Sequence, residues 1–331
     1  MRLLGAHMSI AGGFYKAVEA AATYGMETVQ IFTHSPSQWA VKPAATSSTA
    51  RKSEKRSDKN DPLNHWQATP LASEATEQFQ AALRATGIRH PVAHASYLIN
   101  LAATDQPLWE RSRAALVVEL QRAAALGLAA VIVHPGALTG GDWETGSQRI
   151  ATAAQQAIDH VPGSQTKLLL ENTAGQGTTV GHRLEELAEL LAMIDRPDRC
   201  GLCIDTCHAH AAGYPLDSEK HFEEFRTALD AALPKHCVQA LHLNDSQRPA
   251  GSRVDRHAHI GHGTIGRSGF RRILEDSYLG GLPMYLETPK GIDPDTQQEW
   301  DAINLATLRD LCPGTPRRRP SAAKKKRPRD T

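Results

Sequence analysis

No run of apolar residues in this 331-residue chain reaches the roughly 18 that a bilayer-spanning helix needs. An integral membrane helix is therefore excluded. The opening MRLLGAHMSIAGG is too short and too polar for a secretory signal. The expected location is the cytoplasm, beside the nucleoid, or a nucleus if the source has one. Cysteines are few: Cys200, Cys203, Cys207, Cys237 and Cys312. An odd number without a secretory segment argues against a disulfide framework. Cys200-x-x-Cys203 resembles half a zinc site, but no second such pair exists. The thiols read instead as reduced, partly buried groups on a strand. Neither G-x-G-x-x-G nor G-x-x-x-x-G-K-[ST] follows any strand-like run, which weakens the nucleotide-binding open sheets. Against these absences stand 40% hydrophobic and 22% charged residues. That balance excludes wholesale disorder, and the length suits one large α/β domain.

The net charge of +1 hides an asymmetry. Residues 315–331, TPRRRPSAAKKKRPRDT, hold eight Lys/Arg and one Asp, a net +7, which leaves −6 on the rest. Within that rest, 42–60 is itself net +4. Two basic, low-complexity appendages thus accompany an acidic body. Blocks of this kind are usually disordered and often touch polyanions. The tail is expected to be disordered and to add affinity for a polyanion without specificity, with an import or partner-binding signal as the alternative. The expected layout is a single domain over 1–305 with a basic insertion at 42–70. An extension over 306–331 follows, basic and disordered from 315.

Eight short apolar runs recur, at 3–6, 28–32, 91–95, 130–133, 168–170, 201–204, 238–243 and 284–286. They are continuous rather than alternating, as parallel strands covered on both faces should be. Helical patterns lie between them. Leu184, Leu187, Ala188 and Leu191 share a face, as do Phe222, Phe225 and Leu229, and Leu116, Leu120 and Ala123. Ser268, before the Phe270, Ile273 and Leu274 face, reads as an N-cap. Eight strands each followed by a helix predict an α/β fold, a (β/α)8 TIM barrel, for which about 250 residues is typical. A doubly wound open sheet is the alternative.

The ends of these runs carry the chemistry. They give His7, His94, His134, Glu171 with Asn172, Asp205 with His208, His242 with Asp245, and Glu287. Asp255-Arg256-His257 lies between the last two. In a barrel all C-terminal strand ends open on one mouth, so these residues would converge. Singly, a histidine after a strand is an ordinary hydrogen-bonded loop residue, and Asp205 or Glu287 could be a helix N-cap. Together, even five of these six histidines and four of these five carboxylates would call for divalent cations, because crowded unpaired carboxylates would repel and take up protons. Mixed imidazole and carboxylate ligands suit zinc. Nine groups exceed the needs of one tetrahedral ion and predict two or three, with a bridging carboxylate. Rival readings are a sugar isomerase or epimerase of similar barrel type, which would use fewer ions, and a non-enzymatic DNA-binding protein that uses the tail.

The segments GAHMSIAGG, HASYLINLA, VIVHPG, LLENTAGQG, CIDTCHAHAAGY, LHLNDS, GSRVDRHAHIGHG and YLETP resemble endonuclease IV, the zinc-dependent apurinic/apyrimidinic endonuclease family. The likeness runs from about residue 1 to 305 and breaks at the insertion. It implies a barrel with a trinuclear zinc centre that cleaves DNA 5′ to an abasic site, leaving a 3′-hydroxyl and a 5′-deoxyribose phosphate. His94, His134 and Glu171 would hold the first zinc. Glu171 would bridge to a second, shared with Asp205, His242 and Glu287. His208, Asp255 and His257 would hold the third. Asp255 and His257, two apart on an extended segment, point to one side. Five neutral imidazoles and four carboxylates carry −4 and three Zn²⁺ carry +6. The resulting +2 would attract a phosphodiester and stabilise charge growing on its oxygens. The attacking group is expected to be a metal-activated hydroxide, with Glu171 as the proton acceptor.

The resemblance also implies that Tyr97 and Leu98 wedge into the base stack at the lesion and that Asn100 touches the DNA backbone. The partner would be double-stranded DNA carrying abasic sites, and the chain a monomer away from membranes. The loop after the second strand reads Thr33-His34-Ser35-Pro36-Ser37-Gln38-Trp39. Where the family has an arginine that enters the DNA, this chain has Ser37. The basic 42–60 stretch that follows would supply phosphate contacts or serve as a solvated spacer.

Overall fold

The structure, a computed structural model, describes residues 2–43 and 61–312. Most of the basic insertion, 44–60, and the extension from 313 onward, with the expectations attached to them, lie outside the described residues. Eight parallel strands form the central sheet: β1 (Leu3–Ala6), β2 (Gln30–Phe32), β3 (Val92–His94), β4 (Ala130–Val133), β5 (Lys167–Glu171), β6 (Cys200–Asp205), β7 (Val238–His242) and β8 (Pro283–Leu286). Their order is β1-β8-β7-β6-β5-β4-β3-β2. A parallel bridge between His7 and Gln30, with Met8 N donating to Gln30 O at 2.8 Å, joins the two ends. The sheet is a closed barrel, not a doubly wound open sheet.

Each strand matches one apolar run of the sequence to within two residues at either end. The reason is burial on both faces. Every residue of β4 and β6 is buried. Val92, Ala130, Ile132, Leu169, Cys203, Ala240 and Tyr285 fill the barrel interior. The opposite strand faces join the larger core beneath the helices. Cys200 and Cys203 therefore fall on opposite faces of β6, because side chains alternate along a strand. They are not half of a metal site, and all five cysteines are free. Close approach of backbones explains Gly5 of β1, where a Cβ would lie 2.2 Å from Thr28 O.

Nine helices are described: α1 (Phe14–Thr23), α2 (Ser73–Thr86), α3 (Gln106–Leu126), α4 (Trp143–Asp159), α5 (Leu184–Ile194), α6 (Thr206–Ala212), α7 (Glu219–Ala232), α8 (Gly266–Glu275) and α9 (Trp300–Asp310). Asp105 caps α3 by accepting from Leu108 N at 2.8 Å, and Asp142 caps α4 by accepting from Thr145 N at 2.8 Å. The expected faces of α3, α7 and α8 are buried. Leu305 and Leu308 of α9 are core residues, so the packed body runs past residue 305. The ends of the insertion meet: Val41–Pro43 pairs antiparallel with Trp66–Ala68. The Arg111 guanidinium of α3 lies over Trp39 and Trp66, 4.5 and 5.5 Å from their ring centroids.

Ser268 is not the cap of α8. The helix begins at Gly266, and Ser268 sits inside its first turn with Oγ donating to Asp217 O at 3.1 Å. The capping oxygens come from twenty residues upstream. Asp245 Oδ1 accepts from Ile265 N at 3.0 Å, and both of its oxygens face Gly266 N.

Candidate metal centre

Six of the nine predicted ligands stand at strand ends and three on the segments that follow. His94, Glu171, Asp205 and His242 are the last residues of β3, β5, β6 and β7. His134 and Glu287 follow β4 and β8 directly. His208 lies in the first turn of α6, and Asp255 and His257 on the long loop between β7 and β8. Strand register does part of the alignment: Asp205 lies beside His242, and Glu171 beside Cys203. The loop is folded back by a short antiparallel ladder of Asp245–Ser246 with His257–Ala258.

All nine side chains meet at the mouth, with Glu171 in the middle. Its Oε2 lies 2.9 Å from His94 Nε2 and 3.1 Å from His134 Nε2. Its Oε1 lies 2.8 Å from His242 Nδ1 and 3.4 Å from His208 Nδ1. His242 Nδ1 also faces Glu287 Oε2 at 3.3 Å and Asp205 Oδ2 at 3.9 Å. Asp255 faces His208 Nε2 at 3.2 Å and His257 Nε2 at 3.3 Å. The donor atoms of His94, His134 and Glu171 lie within 4.8 Å of one another. The same holds for Glu171, Asp205, His242 and Glu287, and for His208, Asp255 and His257. A fourth combination, Asp205, Cys207 and His257, was not foreseen. Burial pushes the Cys207 thiol up to about 12, away from the thiolate a metal would need.

The electrostatics have the character of a cation site. Burial alone would raise the Glu171 carboxyl, but the imidazoles of His242 and His134 outweigh it and hold the group well below its usual range. Burial likewise works against charge on His208 and His242. Asp205 and Asp255 around His208, and Cys203, Glu171 and Glu287 around His242, nevertheless raise both well above 6.5. Glu287 is brought to about 2 against its own burial by His242 and His94. The carboxylates, of which Glu171 and Asp205 are fully buried, thus favour protonated neighbouring imidazoles. Divalent cations would supply the same positive charge while leaving the imidazoles neutral. His257 Nε2 is buried in the cluster and makes no hydrogen bond. The donor set, nitrogen and oxygen with no thiolate, fits zinc.

Around the predicted ligands lies a layer of which the sequence analysis had singled out only Asn172 and missed Asn244 and Gln30. Asn172 ties β5 to β6, taking Asp205 N at 2.6 Å and giving to Asp205 O at 3.1 Å. Asn244 donates to Asp205 Oδ2 at 2.6 Å and accepts from Glu287 N at 2.8 Å. Gln30, fully buried in β2, touches both His242 and Glu287. His7 is no member of the three groups. It stands behind Glu287 at 3.9 Å, and burial pushes its imidazole down to about 3. Asp205 is a helix N-cap, Oδ1 accepting from His208 N of α6 at 2.9 Å, and its Oδ2 faces His242 and His257. Asp245 is a loop organiser, accepting from the backbone of Ser246, Gly261, Gly263 and Ile265.

At the rim, Tyr97 is 66% exposed and Leu98 half-buried. The side chain of Asn100, expected at the DNA backbone, is engaged within the protein. Its Oδ1 accepts from Ala102 N and Ala137 N at 3.1 and 2.9 Å, and its Nδ2 donates to Ala137 O at 3.0 Å. The loop after β2 is tied to the Tyr97 loop by Ser96 Oγ donating to Pro36 O at 2.7 Å, and Ser37 is exposed on it.

A family model described as a xylose isomerase-like TIM barrel matches residues 18–308. A relative from Geobacter sp. strain M21 named "Probable endonuclease 4" is 40% identical over 314 residues, covering 95% of this chain and 100% of the relative. The chain belongs to the endonuclease IV family. Another family member, "Probable endonuclease 4" of Chloroflexus aggregans, is 40% identical over 94% of this chain and 98% of its own length. Among solved structures, endonuclease IV from Thermus thermophilus superposes with a TM-score of 0.74 at 38% identity, over 93% of this chain and 98% of that one. A D-tagatose 3-epimerase-like protein reaches a TM-score of 0.62 at 16% identity, over 93% of this chain and 96% of its own, a likeness of fold alone. Among the described residues, no helix is long and apolar enough to cross a membrane.

Proposed function

We propose that this chain is a DNA-repair endonuclease of base excision repair. It hydrolyses the phosphodiester 5′ to an abasic site in double-stranded DNA and leaves a 3′-hydroxyl and a 5′-deoxyribose phosphate. The observation that carries the reading is the convergence of nine imidazoles and carboxylates, six at strand ends and three on the segments beyond them, into three groups, two of which share Glu171. They belong to a chain 40% identical to proteins named as endonucleases.

Three Zn²⁺ ions would be held, one by His94, His134 and Glu171, one by Glu171, Asp205, His242 and Glu287, and one by His208, Asp255 and His257. When bound they supply Lewis acidity, which acidifies water and neutralises charge on the phosphate and the leaving oxygen. The chain's own residues do the rest. Glu171 ties two groups together through its two oxygens and accepts the proton of the attacking water. The main-chain acceptors behind His94, His208 and His257 keep Nε2 of each ring turned inward. No serine, cysteine or histidine nucleophile is required. Tyr97, exposed at the rim, and Leu98 beside it wedge into the base stack at the lesion. The same reading has the enzyme acting as a monomer on cytoplasmic DNA beside the nucleoid, or in a nucleus if its source has one.

The test is zinc per chain by elemental analysis, followed by incubation with a duplex carrying one abasic site. Two to three zinc ions and a single cut 5′ to the site are expected. Glu171→Gln should fold but lose cleavage. One ion or fewer in fully active enzyme, or near-normal turnover in Glu171→Gln, refutes the multinuclear reading. Epimerisation of a ketose without DNA cleavage would favour the sugar-epimerase alternative.

A further inference from the structure

An imidazole that holds a cation must offer it a lone pair rather than a proton. In His94, His208 and His257 the nitrogen turned away from the centre donates to a main-chain oxygen, that of Ala95, Asn172 and Glu287, at 2.7, 2.9 and 3.3 Å. Those acceptors belong to the backbone, and no side-chain substitution removes them. His242 differs. Its outward nitrogen, Nε2, meets a side chain: Gln30 Oε1 at 2.8 Å. Gln30 is fully buried in β2, a strand that contributes none of the nine ligands.

The orientation of a glutamine amide has to be argued from its neighbours. Here Glu287 decides it. A carboxylate only accepts, and Glu287 Oε1 lies 2.6 Å from one end of the Gln30 amide. That end is the NH₂, whose second hydrogen is directed to His7 Nδ1 at 3.0 Å. The other end is the carbonyl, and a carbonyl 2.8 Å from a ring nitrogen requires a proton on that nitrogen. Gln30 thus holds a proton on Nε2, while the proton that Glu171 at 2.8 Å and Glu287 at 3.3 Å favour on Nδ1 is the one a cation would displace. The neutral ring left behind keeps its proton on Nε2 and turns the Nδ1 lone pair to the centre. The reversed amide would press two oxygens together at the Glu287 end.

We propose that Gln30 is a positioning residue of the metal centre: one buried amide sets the tautomer of His242 and restrains Glu287, two ligands of the same group. The inference rests on the zinc reading above and adds a residue that touches no ion.

The test is a chelator titration of the zinc-loaded enzyme, read as zinc per chain, with NMR of the His242 ring proton. Gln30→Met removes donor and acceptor at similar length. Loss of a ligand-orienting partner weakens metal affinity by roughly 10–100-fold. Gln30→Met should therefore release one ion per chain at correspondingly weaker chelation, hold the others as the parent does, and lose the protected Nε2–H signal. Gln30→Glu keeps the acceptor but sets a charge against Glu287. It should retain the ring-proton signal and still release the same ion early. Parent-like release in both variants overturns the proposal, even if their thermal midpoints fall, because a purely structural role would lower stability without singling out one ion. Should Gln30→Met not fold, the near-isosteric Gln30→Glu decides alone. A parent that binds no zinc sinks the metal-centre reading and this inference with it, an outcome distinct from a zinc-loaded parent indifferent to Gln30.

Discussion

Asp245→Asn isolates the loop that carries Asp255 and His257. In the folded chain Asp245 Oδ2 accepts from Gly261 N and Gly263 N at 2.9 and 3.0 Å, and Oδ1 from Ser246 N and Ile265 N at 2.8 and 3.0 Å. Asparagine replaces one oxygen with NH₂, which sets a donor against two backbone donors whichever way the amide turns. Hydrogen bonds to a charged acceptor contribute about 1.5–3 kcal/mol each, so losing two costs about 3–6 kcal/mol. The loop has little room to adapt. A Cβ at Gly263 would lie 2.4 Å from Ser246 O and 2.5 Å from Asp245 Oδ1. The assay is urea unfolding in excess chelator, so that bound ions do not enter the comparison, paired with zinc content before chelation. The expected result is a loss of that size together with loss of the ion assigned to His208, Asp255 and His257. A change below about 1 kcal/mol, with zinc content unaltered, would refute the assignment of Asp245 as the organiser of this loop.

Tyr97→Ala should weaken discrimination of abasic over intact duplex by the worth of a stacking contact, roughly 1–3 kcal/mol, with zinc content unchanged; equal discrimination by both proteins would remove Tyr97 from the recognition surface. Ser37→Arg should tighten abasic binding, and no change would mean the loop is held away from DNA. A chain ending at Gly314 should bind both duplexes more weakly at low salt with a shallower salt slope, each lost phosphate contact contributing about 0.9, while turnover at saturating substrate persists; identical slopes would detach the tail from DNA. Burial pushes the Tyr278 hydroxyl up to about 12, and it donates to Val238 O at 2.6 Å. A raised folded value means stability that is complete below pH 10 and lost as pH climbs through about 12. Tyr278→Phe should therefore cost about 1 kcal/mol at neutral pH, and the gap to the parent should shrink between pH 10 and 12 in unfolding titrations.

The barrel was legible because burial on both faces turns each strand into an uninterrupted apolar run, as in Ala130–Val133, where the expected and observed limits coincide. The cluster at the mouth was legible because polar residues ending such runs have one mouth to share. What escaped the sequence are groups whose partners lie far along the chain. Gln30 reads as one polar residue inside an apolar strand, and only the closed barrel brings Glu287 to it, 257 positions away. The cap of α8 was assigned to Ser268 by local pattern, while Asp245, which pattern had placed among the mouth residues, supplies it across twenty residues. Asn100 stands two positions past Leu98 in a motif-bearing segment, yet its amide holds Ala102 and Ala137 instead of facing outward. A resemblance transfers residue types with their spacing; which way a given side chain faces depends on neighbours that a single line of sequence does not display.

The proposed ligands run from His94 to Glu287, and the last barrel strand, β8, lies against the first, β1. During synthesis the centre therefore becomes complete late, once nearly the whole barrel has left the ribosome. Ions that bind the finished barrel and not the open chain shift the balance between them by mass action, about 2.7 kcal/mol for each ion present at a hundred times its dissociation constant. Zinc supply would then govern abundance as well as turnover. In a starved cell the enzyme would spend more of its time open to proteases, and repair capacity would fall through the lifetime of the protein before any change in its gene's output.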